Sequence, residues 1–140
     1  RDFCLSRGLG DVYKRQSYAN EVGGQFQEYD TNKSVVIYPL GGNRYQAVLG
    51  TLKKSDITNK PSIEFTSKVC EFNTAINLEN LIRANATFCS ARFVLVDDFI
   101  RVEAAILEES ATEGVLKDII EEVATVADAW EHKLTGQDVH

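Results

Sequence analysis

The sequence predicts a single α+β domain in which an antiparallel sheet of about five strands is packed by two or three helices. The length of 140 residues and the apolar fraction of 44% are typical of one domain that closes one core. Several segments are β-branched or alternate between apolar and polar residues, and short turn sequences join them. Two further segments repeat apolar residues at helical spacing, and such faces need a sheet to cover them.

The first predicted strand runs from Ser34 to Leu40, a stretch rich in β-branched and aromatic residues. Pro39 lacks a backbone donor, so the strand should end near that point. The residues Gly41, Gly42 and Asn43 tolerate positive φ and predict a turn. The segment from Arg44 to Leu52 should therefore return antiparallel to the first strand.

The third predicted strand runs from Ser62 to Cys70. Its residues alternate, with one face formed by Ile63, Phe65, Ser67 and Val69, and the other by Glu64, Thr66 and Lys68. This period of two indicates a strand with one solvated face.

A second hairpin is predicted from Arg92 to Val96 and from Phe99 to Leu107, around the turn residues Asp97 and Asp98. Within its first strand Phe93 and Leu95 point one way, and Val94 and Val96 point the other way. Because both sets are apolar, we expect this strand to be covered on both faces.

Two helices are predicted, and each has its own start signal. Asn77 is a credible N-cap for a helix from Leu78 to about Ser90. One stripe of that helix holds Leu78, Leu81, Ile82, Asn85, Phe88 and Cys89. Ser110 and Glu113 fit a capping box for a last helix that runs to about Leu134 and stops at Gly136. Its expected buried residues are Val115, Leu116, Ile119, Ile120, Val123, Val126, Trp130 and Leu134.

The N-terminal segment differs from the rest of the chain. Residues 1–16 show neither a helical nor a strand period, and Gly8 to Gln16 resembles the translated adapter found at the ends of reading frames assembled from environmental DNA. We therefore interpret residues 1–16 as a non-native or disordered leader, the alternative being a native flexible arm. Residues 17–140 then form the single domain. Its first part, Ser17 to Asp30, is expected to be turn-rich because Gly23 and Gly24 interrupt it.

Charge and apolar content exclude some partners. The net charge of −6 weighs against nucleic acid and anionic membrane surfaces. No stretch approaches the roughly 18 apolar residues of a membrane span, so we expect a cytoplasmic protein. The three cysteines, Cys4, Cys70 and Cys89, form no Cys-x-x-Cys pair and are interpreted as buried thiols and not as a disulfide framework.

Residues that would carry catalysis or hold a cofactor are not apparent. The histidines, His132 and His140, lie near the C-terminus, where His132 is best explained as a partner of the helix dipole. The acidic pairs Glu108-Glu109 and Glu121-Glu122 are interpreted as solvated charge, and Gly41-Gly42 lacks the Lys and Ser or Thr of a phosphate loop. We predict no catalytic residue, no metal site and no cofactor, while a spatial pair of carboxylates stays open.

Four residues are candidates for binding a partner: Arg44, Gln46, Asn85 and Arg101. Asn85 is the polar exception on an apolar helical stripe, so its amide must find hydrogen bonds. It either binds the backbone of a peptide or caps the neighbouring hairpin or loop. Arg44 and Gln46 project from one face of their strand, which either serves a ligand or is a solvated outer face.

The chain resembles the YbjN-like domains, relatives of the type III secretion chaperones. The residues that carry the resemblance are Arg44-x-Gln46-x-Val48, Leu81-Ile82-Arg83-Ala84-Asn85, Ala91-Arg92-Phe93 and Val123-x-x-x-Ala127-Asp128-Ala129-Trp130-Glu131. They span about Val35 to Asp138. The resemblance implies an α-β-β-β-α-β-β-α order, an acidic domain, frequent dimers and a chaperone-like or regulatory role without catalysis. It also implies a leading helix before Val35.

These observations lead to a hypothesis of a non-enzymatic domain that binds a peptide segment of a partner protein, as a homodimer. Strands with apolar residues on both faces exceed what two or three helices can cover, which favours pairing with another chain. The alternative is a small ligand-binding protein or enzyme that uses Glu103, Arg101 or Arg44 in a pocket on the open face of the sheet. A structural subunit of a larger assembly is a third possibility.

Overall fold

The computed structural model describes residues 25–30 and 32–136. In chain order the elements are β1 (Gln25–Asp30), β2 (Lys33–Gly41), β3 (Arg44–Lys54), β4 (Pro61–Glu71), α1 (Leu78–Asn85), β5 (Arg92–Val96), β6 (Phe99–Leu107), a 3₁₀ turn (Glu108–Ser110) and α2 (Glu113–Thr135). The strands form one six-stranded sheet in the order β1-β2-β3-β4-β6-β5, and every neighbouring pair is antiparallel. The predicted α+β class and the five predicted strands are confirmed.

The sheet has one strand more than the sequence predicts, because Gln25–Asp30 forms β1 against β2. These residues fall in the segment expected to be turn-rich. Pairing with the backbone of β2 has outweighed their weak local preference, as strand propensity depends strongly on context. They are also a strand where the family resemblance implies a leading helix. The predicted leader, residues 1–16, and the rest of the turn-rich segment up to residue 24 lie outside the described residues.

The tight turns follow the sequence signals. Gly41, Gly42 and Asn43 have φ of 86°, 58° and 64°, and the two-residue turn between β5 and β6 has φ of 51° at Asp97 and 67° at Asp98. A turn with two left-handed residues matches the twist of the flanking strands. The registers of both hairpins are thereby fixed, so the alternation along each strand decides which residues reach the core.

The core lies between α2 and one face of the sheet. The strands contribute buried residues that include Val36, Val48, Phe65, Val102 and Ala104, and the helix contributes Leu116, Ile120, Val123, Ala124 and Ala127. The predicted alternation of β4 is confirmed, because Ile63, Phe65, Ser67 and Val69 are all buried. The small residues Ala124 and Ala127 are completely buried, which allows the helix backbone to approach the strands closely.

The start of α2 differs from the prediction. Thr112, and not Ser110, is the N-cap, and its Oγ1 accepts a hydrogen bond of 3.3 Å from the backbone N–H of Val115. Ser110 belongs to the 3₁₀ turn, and the extended backbone of Ala111 and Thr112 then leads into the helix. The predicted end is confirmed, since Gly136 adopts the left-handed conformation with φ of 70°. Val115 is exposed and not part of the core.

Helix α1 is shorter than predicted and buries less of its stripe. Asn77 caps it as expected, accepting hydrogen bonds from the N–H groups of Glu79 and Asn80. The helix ends at Asn85, where the chain turns towards β5. Of its apolar stripe Leu81 is buried, whereas Leu78 and Ile82 are exposed.

The expectation that β5 is covered on both faces is wrong. Leu95 and Val96 are exposed, although the predicted alternation of directions holds. The physical reason is that β5 is the last strand of the sheet, whereas α2 packs mainly on β2, β3, β4 and β6. Helix α1 packs beside β5, and α2 reaches Phe93 through Trp130 but leaves Leu95 and Val96 uncovered.

The cysteine side chains differ in burial from what the sequence predicts. Cys70 is half-buried and Cys89 is exposed, so the interpretation of buried thiols is wrong for Cys89, while Cys4 lies outside the described residues. Among the described residues, no helix has the length and the apolar character that crossing a membrane requires.

The cap of α2 can be tested by comparing Thr112→Ala with Ser110→Ala. We expect Thr112→Ala to lower the free energy of unfolding by about 1 kcal/mol, because the N–H of Val115 loses its side-chain acceptor. Ser110→Ala should stay within about 0.5 kcal/mol of the unaltered chain. Urea denaturation measures both changes. Equal losses in the two variants would contradict the assignment of the cap.

Candidate functional site

Arg44 and Gln46 do share one face of β3, as predicted, but that face is turned towards α2 and is not a solvated outer face. Arg44 Nη2 lies 2.8 Å from Asp128 Oδ2, and the Asp128 side chain is buried while that of Arg44 stays half exposed. Gln46 is only 3% exposed. The two residues therefore belong to the contact between the sheet and the C-terminal half of the helix.

The amide of Gln46 has a defined orientation. Its Nε2 donates hydrogen bonds to Ser67 Oγ at 2.9 Å and to the carbonyl oxygen of Lys68 at 3.0 Å. The hydroxyl of Ser67 uses its own proton on the carbonyl oxygen of Ala47, at 2.7 Å, so it can only accept from the amide. Both neighbours need the NH₂ group, and this places Gln46 Oε1 on the opposite side, buried and without a hydrogen-bond donor.

A pocket of about 450 Å³ opens beside this amide, beneath the last turns of α2. Gln46 and Glu131 supply its buried polar side chains, and Ala47, Val69 and Phe99 supply apolar wall. We call it the Gln46 pocket. Burial raises the pKa of the neighbouring Cys70 thiol, and the carboxylate of Glu131 raises it further. The pocket therefore combines apolar walls with a polar, negatively charged base.

A second cleft of about 590 Å³ lies where the hairpin of β2 and β3 meets α2, and it holds the pair formed by Arg44 and Asp128. Asp128 Oδ1 is buried without a donor. Tyr38, on the neighbouring strand, hydrogen-bonds to Glu121, and the pKa of its phenol is raised by burial and by that carboxylate. Opposite charges are mixed in this cleft, since Lys133 also lines it.

Of the two roles that the sequence left open for Asn85, the structure shows the cap on the neighbouring hairpin. Its Oδ1 accepts a hydrogen bond of 2.7 Å from the backbone N–H of Phe93, on the edge strand β5. That N–H points away from β6, so the amide occupies a position where an added strand would otherwise bind. The Phe93 ring packs edge-to-face on Phe88 and Trp130, with centroids 5.7 and 5.1 Å away.

Beside this contact the molecule exposes four large apolar side chains, namely Leu78, Ile82, Leu95 and Val96. Leu78 and Ile82 lie on the stripe of α1 that also carries Asn85, and Leu95 and Val96 end the edge strand to which Asn85 is bonded. We call this surface the apolar edge. Its most exposed members are Ile82, at 69%, and Leu95, at 48%.

Glu122 of α2 holds the connection between α1 and β5 in place. Its Oε2 accepts from the N–H of Cys89 at 2.7 Å, and its Oε1 accepts from the N–H groups of Ser90 and Ala91 at 2.7 and 2.8 Å. Burial by itself raises the pKa of this carboxyl, but the three hydrogen bonds outweigh that effect and lower the pKa below its ordinary value. Successive N–H groups that converge in this way form an anion-binding nest.

The acidic pairs are therefore only partly the solvated charge that the sequence predicted. Glu109 and Glu121 are exposed, but Glu122 is bound in the nest and Glu108 is buried. His132 is exposed near the end of α2, as expected of a partner of the helix dipole. The burial of Asp128 and Glu131 could have been found from the sequence, because their spacing continues the apolar stripe through Val123, Ala124 and Ala127.

The residues of the alternative hypothesis do not come together. Glu103 lies on the open face of the sheet, where its Oε1 is 2.9 Å from Nη2 of Arg92. Burial raises its pKa first, and Glu64 on β4 raises it further by charge and a hydrogen bond, against the opposing charges of Arg92 and Lys53. Arg101 shares this face and lies 5.8 Å from the centroid of the Phe99 ring. Arg44 is on the opposite face of the sheet.

In the described part of the chain no group of three or more His, Cys, Asp or Glu side chains is arranged to hold a metal ion. No family model and no curated protein matches the chain.

The contribution of Glu122 can be tested with Glu122→Gln. At pH 7 we expect a loss of about 1–2 kcal/mol in the free energy of unfolding, because the amide presents one acceptor oxygen to three N–H groups. The lowered pKa stabilises the fold above the carboxyl's unfolded pKa, and this stabilisation is lost as the pH falls through the folded pKa. The difference from the unaltered chain should therefore shrink in acid.

Urea denaturation at pH 7 and at stepwise lower pH measures this difference. Asp118→Asn is the matched control, because Asp118 is an exposed acid on the same helix. It should change stability by less than about 0.5 kcal/mol. A loss for Glu122→Gln that is independent of pH would show that the carboxylate is not bound as described.

Proposed function

We propose that this chain is a non-enzymatic protein-interaction domain, chaperone-like or regulatory, that binds a peptide segment of a partner protein in the cytoplasm and acts as a homodimer. The apolar edge carries the proposal. The resemblance to the YbjN-like domains motivates its chaperone-like part.

The apolar edge is unusual because its side chains are grouped. Scattered exposed apolar residues are normal on a soluble protein, whereas adjoining ones mark surfaces that another molecule covers. Leu78 and Ile82 present one turn of α1, and the neighbouring strand β5 exposes Leu95 and Val96, one on each of its faces. Burial of Ile82 and Leu95 by a partner would gain about 1.5–3 kcal/mol for each side chain, before the cost of association.

The manner of binding follows from the same surface. Strand addition needs a row of free backbone groups, but β5 has only five residues and Asn85 already occupies the N–H of Phe93. Packing of apolar side chains between α1 and the end of β5 is the mode that these contacts favour. The net charge of −6 would steer basic flanks of a partner segment towards the domain and repel nucleic acid and anionic membranes.

A pull-down with the full chain immobilised tests the proposal. We expect the unaltered chain to retain a specific polypeptide, and the double variant Ile82→Glu with Leu95→Glu to lose at least about tenfold of it, because charges would replace the apolar contacts. Both side chains are largely exposed, so the melting temperature should change little.

Ile57→Glu is the matched control for this pull-down. Ile57 is an exposed apolar residue, at 92%, in the loop between β3 and β4 and away from the apolar edge. It should retain the polypeptide as the unaltered chain does. Equal retention by the double variant would contradict the role of the apolar edge.

For the homodimer we propose the face of the sheet opposite α2. The described helices contact the other face or the β5 edge, while Ile37, Leu49 and the exposed Tyr45 lie on this one. An isologous contact would bring these strands together from two copies.

Light scattering of the full chain at tens of micromolar should therefore give the mass of a dimer. Tyr45→Glu should shift the mass towards the monomer, because a twofold contact would place two added charges near each other. Ile57→Glu again serves as control and should stay dimeric. A strict monomer for the unaltered chain would contradict this part of the proposal.

A further inference from the structure

Two positive side chains lie directly opposite each other on the face of the sheet that α2 leaves open. Lys68 of β4 and Arg101 of β6 are register partners. Lys68 is exposed and Arg101 is partly exposed, so both can be reached from solvent. Like charges that face each other on neighbouring strands destabilise a sheet. This arrangement therefore costs folding free energy, and a bound anion would offset that cost.

No carboxylate of the described residues lies within 4 Å of either positive group. Two acids of the same face are paired elsewhere, because Glu103 lies 2.9 Å from Nη2 of Arg92 and Glu64 lies 3.5 Å from Nζ of Lys53. Glu71 is exposed at the end of β4 and forms no ion pair with either group. The positive charge of the pair is therefore not met by an ion pair within the described part of the chain.

The two positive groups lie around an aromatic ring instead. Lys68 Nζ is 4.2 Å from the centroid of the Phe99 ring, and the guanidinium carbon of Arg101 is 5.8 Å from it. A ring attracts a cation through its face without satisfying all of its donors, so N–H groups of both side chains stay available to an oxyanion. We call these three residues the cationic cluster.

The cationic cluster adjoins the apolar edge. Val96, a member of that edge, is the register partner of Phe99, so the two side chains lie on the same face of the sheet. Arg101 is two residues further along β6, which places it diagonal to Val96 at about 7–8 Å. An extended segment advances about 6.5 Å over two residues. A segment with an apolar residue on Val96 would therefore bring a side chain two positions away onto the cluster.

We propose that Lys68 and Arg101 form a receptor for a carboxylate of the partner polypeptide, an Asp or Glu two positions from the apolar residue that contacts Val96. This deepens the proposed function and rests on it. The guanidinium fork matches the two oxygens of a carboxylate, and the ammonium group donates from the neighbouring strand. The net charge of −6 repels strongly acidic segments, so the cluster selects a single acid within a segment. The proposed dimer contact lies on β2 and β3 and leaves the cluster accessible.

A display library of random 12-residue peptides, selected on the full chain, tests the inference. We expect the retained peptides to share an Asp or Glu two positions from a large apolar residue. Replacing that acid by its amide keeps the shape of the peptide and removes the charge, so binding should weaken about three- to tenfold. An amide peptide that binds as tightly as the acidic peptide would overturn the inference.

A double-mutant cycle localises the contact. Lys68→Gln combined with Arg101→Gln should bind the acidic peptide about three- to tenfold more weakly and should no longer distinguish it from the amide peptide, because the two changes remove the same contact. Lys68→Gln alone should reduce this preference in part, and it decides the matter if the double variant does not fold. Arg101→Lys keeps the charge and should keep most of the affinity.

Lys54→Gln combined with Lys60→Gln is the matched control for this cycle. Both residues are exposed, and they lie at the end of β3 and in the loop before β4, away from the cationic cluster. The control also loses two positive charges, yet it should prefer the acidic peptide as the unaltered chain does. Loss of that preference in the control would overturn the inference, since it would indicate only general attraction.

Further outcomes separate this inference from the proposed function. Peptides whose binding depends on Ile82 and Leu95, but neither on an acid nor on the cationic cluster, would overturn the inference and leave the proposed function intact. The absence of any retained peptide would contradict both. Titration with inorganic phosphate, followed by two-dimensional NMR at Lys68 and Arg101, covers the other source of an oxyanion. Saturable phosphate binding with no dependence of the peptides on an acid would overturn the inference and indicate a phosphate site.

Discussion

The contact between α2 and the sheet is the constraint on which the remaining structure depends. The helix crosses β2, β3, β4 and β6 and covers the inward side chains of those strands, so most of the core is closed by one element. Ala124 and Ala127 are completely buried in this contact. The position of the helix on the sheet decides which strands it covers and which residues lie around its two ends. On the edge strand β5, the ring of Phe93 packs on Trp130 of the helix, whereas Leu95 and Val96 stay exposed and form part of the apolar edge.

The two halves of α2 have different surroundings. Between Leu116 and Val123 the residues that face the sheet are apolar, and they give the contact its free energy through burial. From Asp128 onward the buried acids Asp128 and Glu131 lie beside the apolar Trp130 and Leu134, and Asp128 pairs with Arg44 on β3. Polar groups in such a position cost stability unless they are hydrogen-bonded, and the ion pair of Asp128 with Arg44 and the hydrogen bonds of Gln46 offset part of that cost.

Much of the fold could be predicted from the sequence because its signals are local. The alternation of residue types along β4 predicted which of its side chains are buried. The turn residues at Gly41 to Asn43 and at Asp97-Asp98 predicted the two hairpins. The start of α2 was wrong because Ser110 and Thr112 can both cap a helix, and only the path of the chain selects between them. Strand β1 was missed because its pairing with β2 is a tertiary effect.

The site was harder to predict for a related reason. The shared face of Arg44 and Gln46 is a property of one strand, and the sequence gives it correctly. Their burial depends on a helix more than 60 residues away, whose position no local pattern contains. The carboxylate of Glu122 is a further case, because its partners are the backbone N–H groups of Cys89 to Ala91, and backbone groups leave no signal in the sequence. The hydrogen bond of Asn85 was easier to predict, because a single amide on an apolar helical stripe needs a hydrogen-bond partner.

The hydrogen bond from the N–H of Phe93 to Asn85 has a consequence for self-association. A sheet that ends in an apolar strand is a template on which identical chains can stack without limit, giving fibres. The amide of Asn85 occupies a backbone N–H that an added strand would need, while the apolar side chains of Leu95 and Val96 stay exposed. Continuous strand addition at this edge is thereby disfavoured.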